Sequence, residues 1–148
     1  MEQKTVRFIK LDSRAVAPTY GTQFAAGADL RAVLDEPVTI EPGKTLLMHT
    51  GIAMEIPEGL VGLVYARSGL ASKRGLAPAN CVGVIDSDYR GEIMVALHNH
   101  SQEAQTIEHG ERIAQMVIAP YVFANYTETE SLTDTVRGEG GFGSTGTK

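Results

Sequence analysis

This 148-residue sequence has one cysteine, no tryptophan and only 6% aromatic residues. It also lacks any apolar run of membrane-spanning length and any excess of positive charge. Each absence removes a class of protein. A single thiol, Cys81, permits no intrachain disulfide and argues against an extracellular disulfide-stapled scaffold. Its apolar neighbours predict a buried core thiol rather than a nucleophile. No cationic-apolar leader opens the sequence, so a cytoplasmic protein without membrane contact is expected. The net charge of −5 argues against general nucleic-acid binding, which normally needs a basic face. It leaves room for a small phosphorylated ligand, because a few local arginines bind one whatever the total charge. What remains, 43% hydrophobic and 21% charged, is ordinary for one globular domain with its own core.

The pattern along the chain is that of an all-β protein. Thr5 to Leu11 opens with alternation expected of a first strand. Val38-Thr39-Ile40 and Thr45 to Met54 flank the turn Glu41-Pro42-Gly43-Lys44, and Pro57-Glu58-Gly59 turns into Leu60 to Ala66. Strands separated by Pro/Gly turns predict a sandwich or barrel, not βαβ units. The only helical expectation is a short segment from Ser68 to Lys73.

Reactive groups concentrate at a few places. Gly83-Val84-Ile85-Asp86-Ser87-Asp88-Tyr89-Arg90-Gly91-Glu92 enters from an apolar run and leaves into Ile93 to Leu97. That predicts a β-hairpin whose tip holds carboxylates, an aromatic and an arginine, although Asp and Gly are also ordinary turn residues. Arg67-Ser68-Gly69 joins a strand to the short helix, where an arginine and a hydroxyl suit a phosphate; Ser68 could equally cap the helix. Arg112 and Gln115 interrupt an apolar strand and need partners if buried. His98 and His100 share a strand face, but with no third ligand nearby they do not define a transition-metal site. From Asn125 onward Thr, Glu, Ser, Asp and Gly dominate, as in a mobile tail. Its glycines match G-x-G-x-x-G, yet no strand leads in and no helix can follow, so a dinucleotide fold is excluded. One arginine and one aromatic among glycines and hydroxyls instead read as a flap over a ligand.

Together these segments resemble the trimeric-type dUTPase (deoxyuridine triphosphatase) family. Five motifs stand in that family's order: Ala26-Gly27-Ala28-Asp29-Leu30; Ala66-Arg67-Ser68-Gly69-Leu70-Ala71; Gly83-Val84-Ile85-Asp86 through Tyr89-Arg90-Gly91; Gly110-Glu111-Arg112-Ile113-Ala114-Gln115; and Arg137-Gly138 through Gly146. The resemblance implies a jelly-roll-like β-sandwich or barrel, of the β-clip kind, over residues 1–124, with a flexible arm over 125–148. It implies hydrolysis of dUTP to dUMP and pyrophosphate with Mg²⁺, which keeps uracil out of DNA and supplies dUMP for thymidylate synthesis. Asp86 would activate the attacking water, and Asp29 would reach the metal through water. Arg67, Ser68, Gly69, Gln115, Arg137, Ser144 and Thr145 would bind the phosphates. Asn80, Val84, Asp86, Tyr89, Met94, Phe142 and Gly143 would surround the deoxyuridine, with Tyr89 under the sugar where a 2′-OH would collide. Asp88 is expected to be structural. A homotrimer with sites shared between subunits is also implied.

Closure of the tail is marginal by magnitude. Ordering about ten residues costs on the order of 10–20 kcal/mol. Charge-assisted hydrogen bonds return roughly 1.5–3 kcal/mol each, and stacking of Phe142 on a base about 1–3 kcal/mol. Two rival readings remain. A dCTP deaminase shares the fold but needs a catalytic Glu where Ala96 stands, and alanine cannot activate water. A binding protein without turnover would need a disabled motif, and none is evident.

Overall fold

A computed structural model describes residues 3–141. The described residues form eleven strands and one short helix, which falls between the sixth and seventh strands. The strands are β1 (Arg7–Lys10), β2 (Thr19–Tyr20), β3 (Ala28–Arg31), β4 (Val38–Ile40), β5 (Thr45–Glu55) and β6 (Leu60–Tyr65). After helix α1 (Ser68–Arg74) come β7 (Leu76–Pro78), β8 (Val82–Ile85), β9 (Glu92–Asn99), β10 (Gln105–Ile107) and β11 (Arg112–Pro120). All pairings are antiparallel. One sheet has the order β1-β5-β9-β7, another β2-β3-β11-β6-β8, and β10-β4 forms a short ribbon. The expected all-β sandwich is therefore present, as a jelly-roll-like arrangement of open sheets. The Pro-Gly turn is also where expected: Lys44 N–H closes it on the Glu41 carbonyl, with Gly43 at φ 69°.

The core lies between the two larger sheets, because their strands alternate. Along β9, Ile93, Val95, Leu97 and Asn99 point inward while Glu92, Met94, Ala96 and His98 stay partly exposed. Ile52, Ile113, Leu30, Leu76 and Ile107 belong to the same buried cluster. Asn99 is the polar residue on the inward face of β9 and is fully satisfied. Its amide donates to the carbonyls of Ile40 and Glu103, and its oxygen accepts from the Ser101 N–H and hydroxyl.

One sequence expectation is corrected here. The stretch around Asp86 is not a β-hairpin. β8 pairs with β6, whereas β9 pairs with β5 and β7 in the other sheet. The chain crosses from one sheet to the other at Asp86 to Gly91. A tight turn between two apolar runs looks the same in sequence whether the runs pair with each other or with separate partners. The consequence is functional: a sheet-to-sheet corner opens a groove that a closed hairpin would fill.

Candidate active site

Two clusters of polar side chains stand at opposite ends of β6. The first gathers on β3, on β11 and at the start of α1 just after β6. Asp29 is 9% exposed, and each of its oxygens carries an arginine: Arg67 Nε donates to Oδ1 at 2.7 Å and Arg112 Nη1 to Oδ2 at 3.1 Å. Gln115 is register-paired with both Asp29 and Tyr65. Its amide donates to the Ala66 carbonyl at 2.9 Å, beside Arg67. A Cβ added at Gly27 would overlap the Gln115 carboxamide, so a larger residue here would push that side chain aside. The partners demanded by Arg112 and Gln115 are thus Asp29 and a main-chain carbonyl.

Ser68 does not cap the helix. The N-cap is Arg67, with extended backbone, and no side chain caps the helix start. The exposed Ser68 hydroxyl and Gly69 backbone remain available beside Arg67. α1 is steadied at its far end, where Arg74 bonds Gln105, the Thr106 carbonyl and Glu111.

The second cluster lines a groove of about 250 Å³ formed by Leu47, Val84, Ile85, Asp86, Tyr89, Glu92 and Met94. Four expected nucleoside or catalytic residues therefore share one cavity: Val84, Asp86, Tyr89 and Met94. Asp86 opens a turn in which its carbonyl accepts the Tyr89 N–H at 3.2 Å. Arg90 staples this turn through Nη1, which donates to the Ser87 and Tyr89 carbonyls. Asp88 lies exposed inside the turn. The Tyr89 hydroxyl donates to the Glu92 carbonyl at 3.0 Å, folding the ring over Gly91. A Cβ on Gly91 would overlap that phenol. The sequence assigns no site role to Leu47 or Glu92, and it places Arg90 at the polar tip without a partner. Leu47 faces the groove only because β5 runs beside β9, a non-local pairing.

Asn80 and Cys81 lie at the other end of β8. The Asn80 amide nitrogen would be 3.3 Å from a Cβ on Gly83, so Asn80 folds over the strand. Cys81 is exposed, correcting the expected core thiol. Its φ of 63° puts it in the left-handed region. There Val82 N–H returns to the Asn80 carbonyl at 2.6 Å, forming a γ-turn. Apolar neighbours misled the sequence reading because the turn, not the composition, aims this side chain outward.

The two clusters are far apart within one chain. Ile85 is level with Gly62 and Val82 with Tyr65. Asp86 and Arg67 extend past these ends in opposite directions, so about 20 Å of extended chain separates them.

The described part of the tail makes no hydrogen bond to either cluster. Tyr121 N–H bonds the Gly59 carbonyl; beyond it, hydrogen bonds of the described tail are internal. Arg137 is exposed and its Nε donates to the Gly140 carbonyl at 2.8 Å. Phe142, Gly143, Ser144 and Thr145 lie outside the described residues. The His98 and His100 rings meet edge-on, with centroids 4.3 Å apart. Among the described residues no group of three His, Cys, Asp or Glu is placed to hold a metal ion.

The family model described as dUTPase matches residues 13–146. The chain belongs to the dUTPase family.

Among curated dUTPases, the deoxyuridine 5'-triphosphate nucleotidohydrolase of Desulfitobacterium hafniense is 51% identical, over 95% of this chain and 94% of that protein. The protein of the same name from Hahella chejuensis is 50% identical, over 94% of this chain and 92% of its own length. The dUTPase of Staphylococcus bacteriophage 80alpha, solved with dUPNHPP, superposes with a TM-score of 0.84 at 30% identity, covering 98% of this chain and all of that one. A mutant dUTPase from phage phi11 of S. aureus, described as coordinating a structural Mg(II) ion, superposes with a TM-score of 0.79 at 25% identity. It covers 88% of this chain. As a dUTPase, the chain is a nucleotide hydrolase, and its all-β fold is that of the family.

Proposed function

We propose that this dUTPase hydrolyses dUTP to dUMP and pyrophosphate, with Asp86 as general base. The observation that carries the reading is the groove that brings Asp86, Tyr89, Val84 and Met94 together beside an exposed carboxylate. In the reaction, Asp86 orients a water and accepts its proton. The water oxygen bonds the α-phosphorus as the bond to the bridging α–β oxygen breaks, and pyrophosphate leaves in line. Main-chain groups of β8 read uracil, with Asn80 at its base. The Tyr89 ring packs under deoxyribose and leaves no space for a 2′-OH.

Arg67, Ser68, Gly69 and Gln115 bind the phosphate chain as charge-assisted and neutral donors. Asp29 holds Arg67 in place, which fixes the guanidinium without consuming all its donors. The donor set also fits Mg²⁺ in one way only. No three-ligand cage exists among the described residues, and each Asp29 oxygen already carries an arginine. That suits an ion that would be held mainly by the triphosphate, with Asp29 reaching it through water. When bound, such an ion offsets the charge gathering on the phosphate oxygens. The tail then closes with Arg137, Ser144 and Thr145 at the γ-phosphate and Phe142, with the Gly143 backbone, over the base.

The separation of about 20 Å between Asp86 and Arg67 supports a site built from more than one subunit, since a triphosphate cannot span both in one chain. A homotrimer answers that need. Among the described residues no helix is long and apolar enough to cross a membrane. We place the enzyme in the cytoplasm, without nucleic-acid or membrane partners, where it removes dUTP before it enters DNA and supplies dUMP for thymidylate synthesis.

The deciding experiment is pyrophosphate release with Mg²⁺ from dUTP, dTTP, dCTP and UTP offered separately, with Asp86→Asn as control. Release from dUTP alone, lost in the variant, is expected. Deamination of dCTP, or binding without turnover, overturns the reading.

A further inference from the structure

The groove wall carries a carboxylate that the proposed reaction does not use. Glu92 faces two depressions at once. One is the nucleoside groove; the other, of about 300 Å³, is lined by Leu11, Asp12, Arg14, Val33, Asp35 and His49. Both Glu92 oxygens are engaged across the sheet. Oε1 accepts the Gly51 N–H at 2.7 Å, and Oε2 lies 2.8 Å from His49 Nδ1.

Those partners sit on an irregularity. β5 and β9 are in register up to His49 opposite Met94, and pairing resumes only at Ala53 opposite Glu92. The residues between form a bulge. Gly51 adopts φ 66°, and a Cβ there would come within 2.9 Å of the Ala15 methyl. The neighbouring Thr50 hydroxyl donates to the Ile93 carbonyl at 2.5 Å. The bulge therefore grips the first two residues of β9, one through the Glu92 side chain and one through the Ile93 main chain.

Glu92 also ends the Tyr89 corner. Its carbonyl is the acceptor for the Tyr89 hydroxyl, and Tyr89 is otherwise 41% exposed. The phenol is thus tethered to a peptide whose position is set by the Glu92 carboxylate. We propose that Glu92 is a positioning residue for sugar discrimination, holding the Tyr89 ring against the groove through the β5 bulge. The proposal rests on Tyr89 being the sugar wall. Its physical basis is that a ring excludes one hydroxyl only if displacements of about 1 Å are prevented.

The test uses the full-length enzyme with Glu92→Ala, Glu92→Gln, Tyr89→Phe and Tyr89→Ala. The measurements are kcat and KM for dUTP and UTP, with thermal unfolding alongside. Glu92→Ala should raise KM for dUTP and narrow the preference for dUTP over UTP about tenfold, with a smaller change in kcat. Glu92→Gln keeps an acceptor for the Gly51 N–H and should restore most of the preference. Tyr89→Phe, which cuts the tether alone, should narrow it as Glu92→Ala does. If Tyr89→Ala leaves the preference intact, the sugar-wall reading itself is wrong. If Tyr89→Ala narrows it but Glu92→Ala only lowers stability, the sugar wall stands and the role of Glu92 is refuted. Should Glu92→Ala not fold, Tyr89→Phe and His49→Ala decide. His49→Ala removes one of two anchors and is expected to give an intermediate loss, and an unchanged preference in both overturns the proposal.

Discussion

Asp29→Asn changes one buried charge and should separate two roles that a carboxylate here could play. Asp29 joins Arg67 and Arg112, whose side chains are 25% and 45% exposed. Each charge-assisted bond is worth roughly 1.5–3 kcal/mol, and stranding a buried charge costs about 3–5 kcal/mol. Partial exposure of both arginines lets water recover much of that, as for surface pairs of at most about 1 kcal/mol. A net loss of about 2–4 kcal/mol is expected, or roughly 5–15 °C in midpoint for a chain of this size. Because assembly shifts apparent stability, unfolding must be compared at one protein concentration. The second assay is binding of a non-hydrolysable dUTP analogue with and without Mg²⁺. If Asp29 positions Arg67, affinity falls in both conditions. If it acts only through metal-bound water, the metal-free affinities of variant and parent agree. Unchanged stability together with unchanged metal-free binding would refute the positioning argument.

Gly91→Ala should push the Tyr89 phenol off its glycine and cost about tenfold or more in kcat/KM for dUTP, while circular dichroism stays native. Cys81→Gly should stabilise the fold by about 1 kcal/mol, because a left-handed residue loses its Cβ penalty, measured by denaturant unfolding; a loss would show the γ-turn to be unstrained. The Arg14 guanidinium, and then its backbone N–H, hold the Asp12 carboxyl at about 2 rather than its ordinary 3.8. The native pKa is the lower one, so this contribution is complete above about pH 4 and is lost as pH falls through about 2. Asp12→Asn should flatten that part of a stability–pH curve, and since Asp12 lies at the surface, high salt should flatten it too. Deleting residues 137–148 should abolish most turnover and leave the β domain's unfolding transition in place; loss of that transition would mean the tail is part of the fold.

The sequence alone was enough for the class of fold and for the family. Period-two alternation and Pro/Gly turns are local signals, and β4, β5, β6 and α1 fall where they were expected. The ordered motifs carried Asp29, Arg67, Ser68, Asp86, Tyr89 and Gln115, because residue type at a fixed spacing is itself a chemical statement. What only the tertiary structure decided is pairing and direction. Whether β8 and β9 pair with each other depends on which distant strands they meet, and β6 and β5 lie well away in sequence. The Cys81 side chain points outward because of one backbone angle, which no composition encodes. Asp29 bridges Arg67 and Arg112, 38 and 83 residues away, only because β3 and β11 pair and β6 lies alongside. The Glu92 contacts have the same origin: its partners, His49 at the edge of the bulge and Gly51 within it, come into reach only once β5 meets β9.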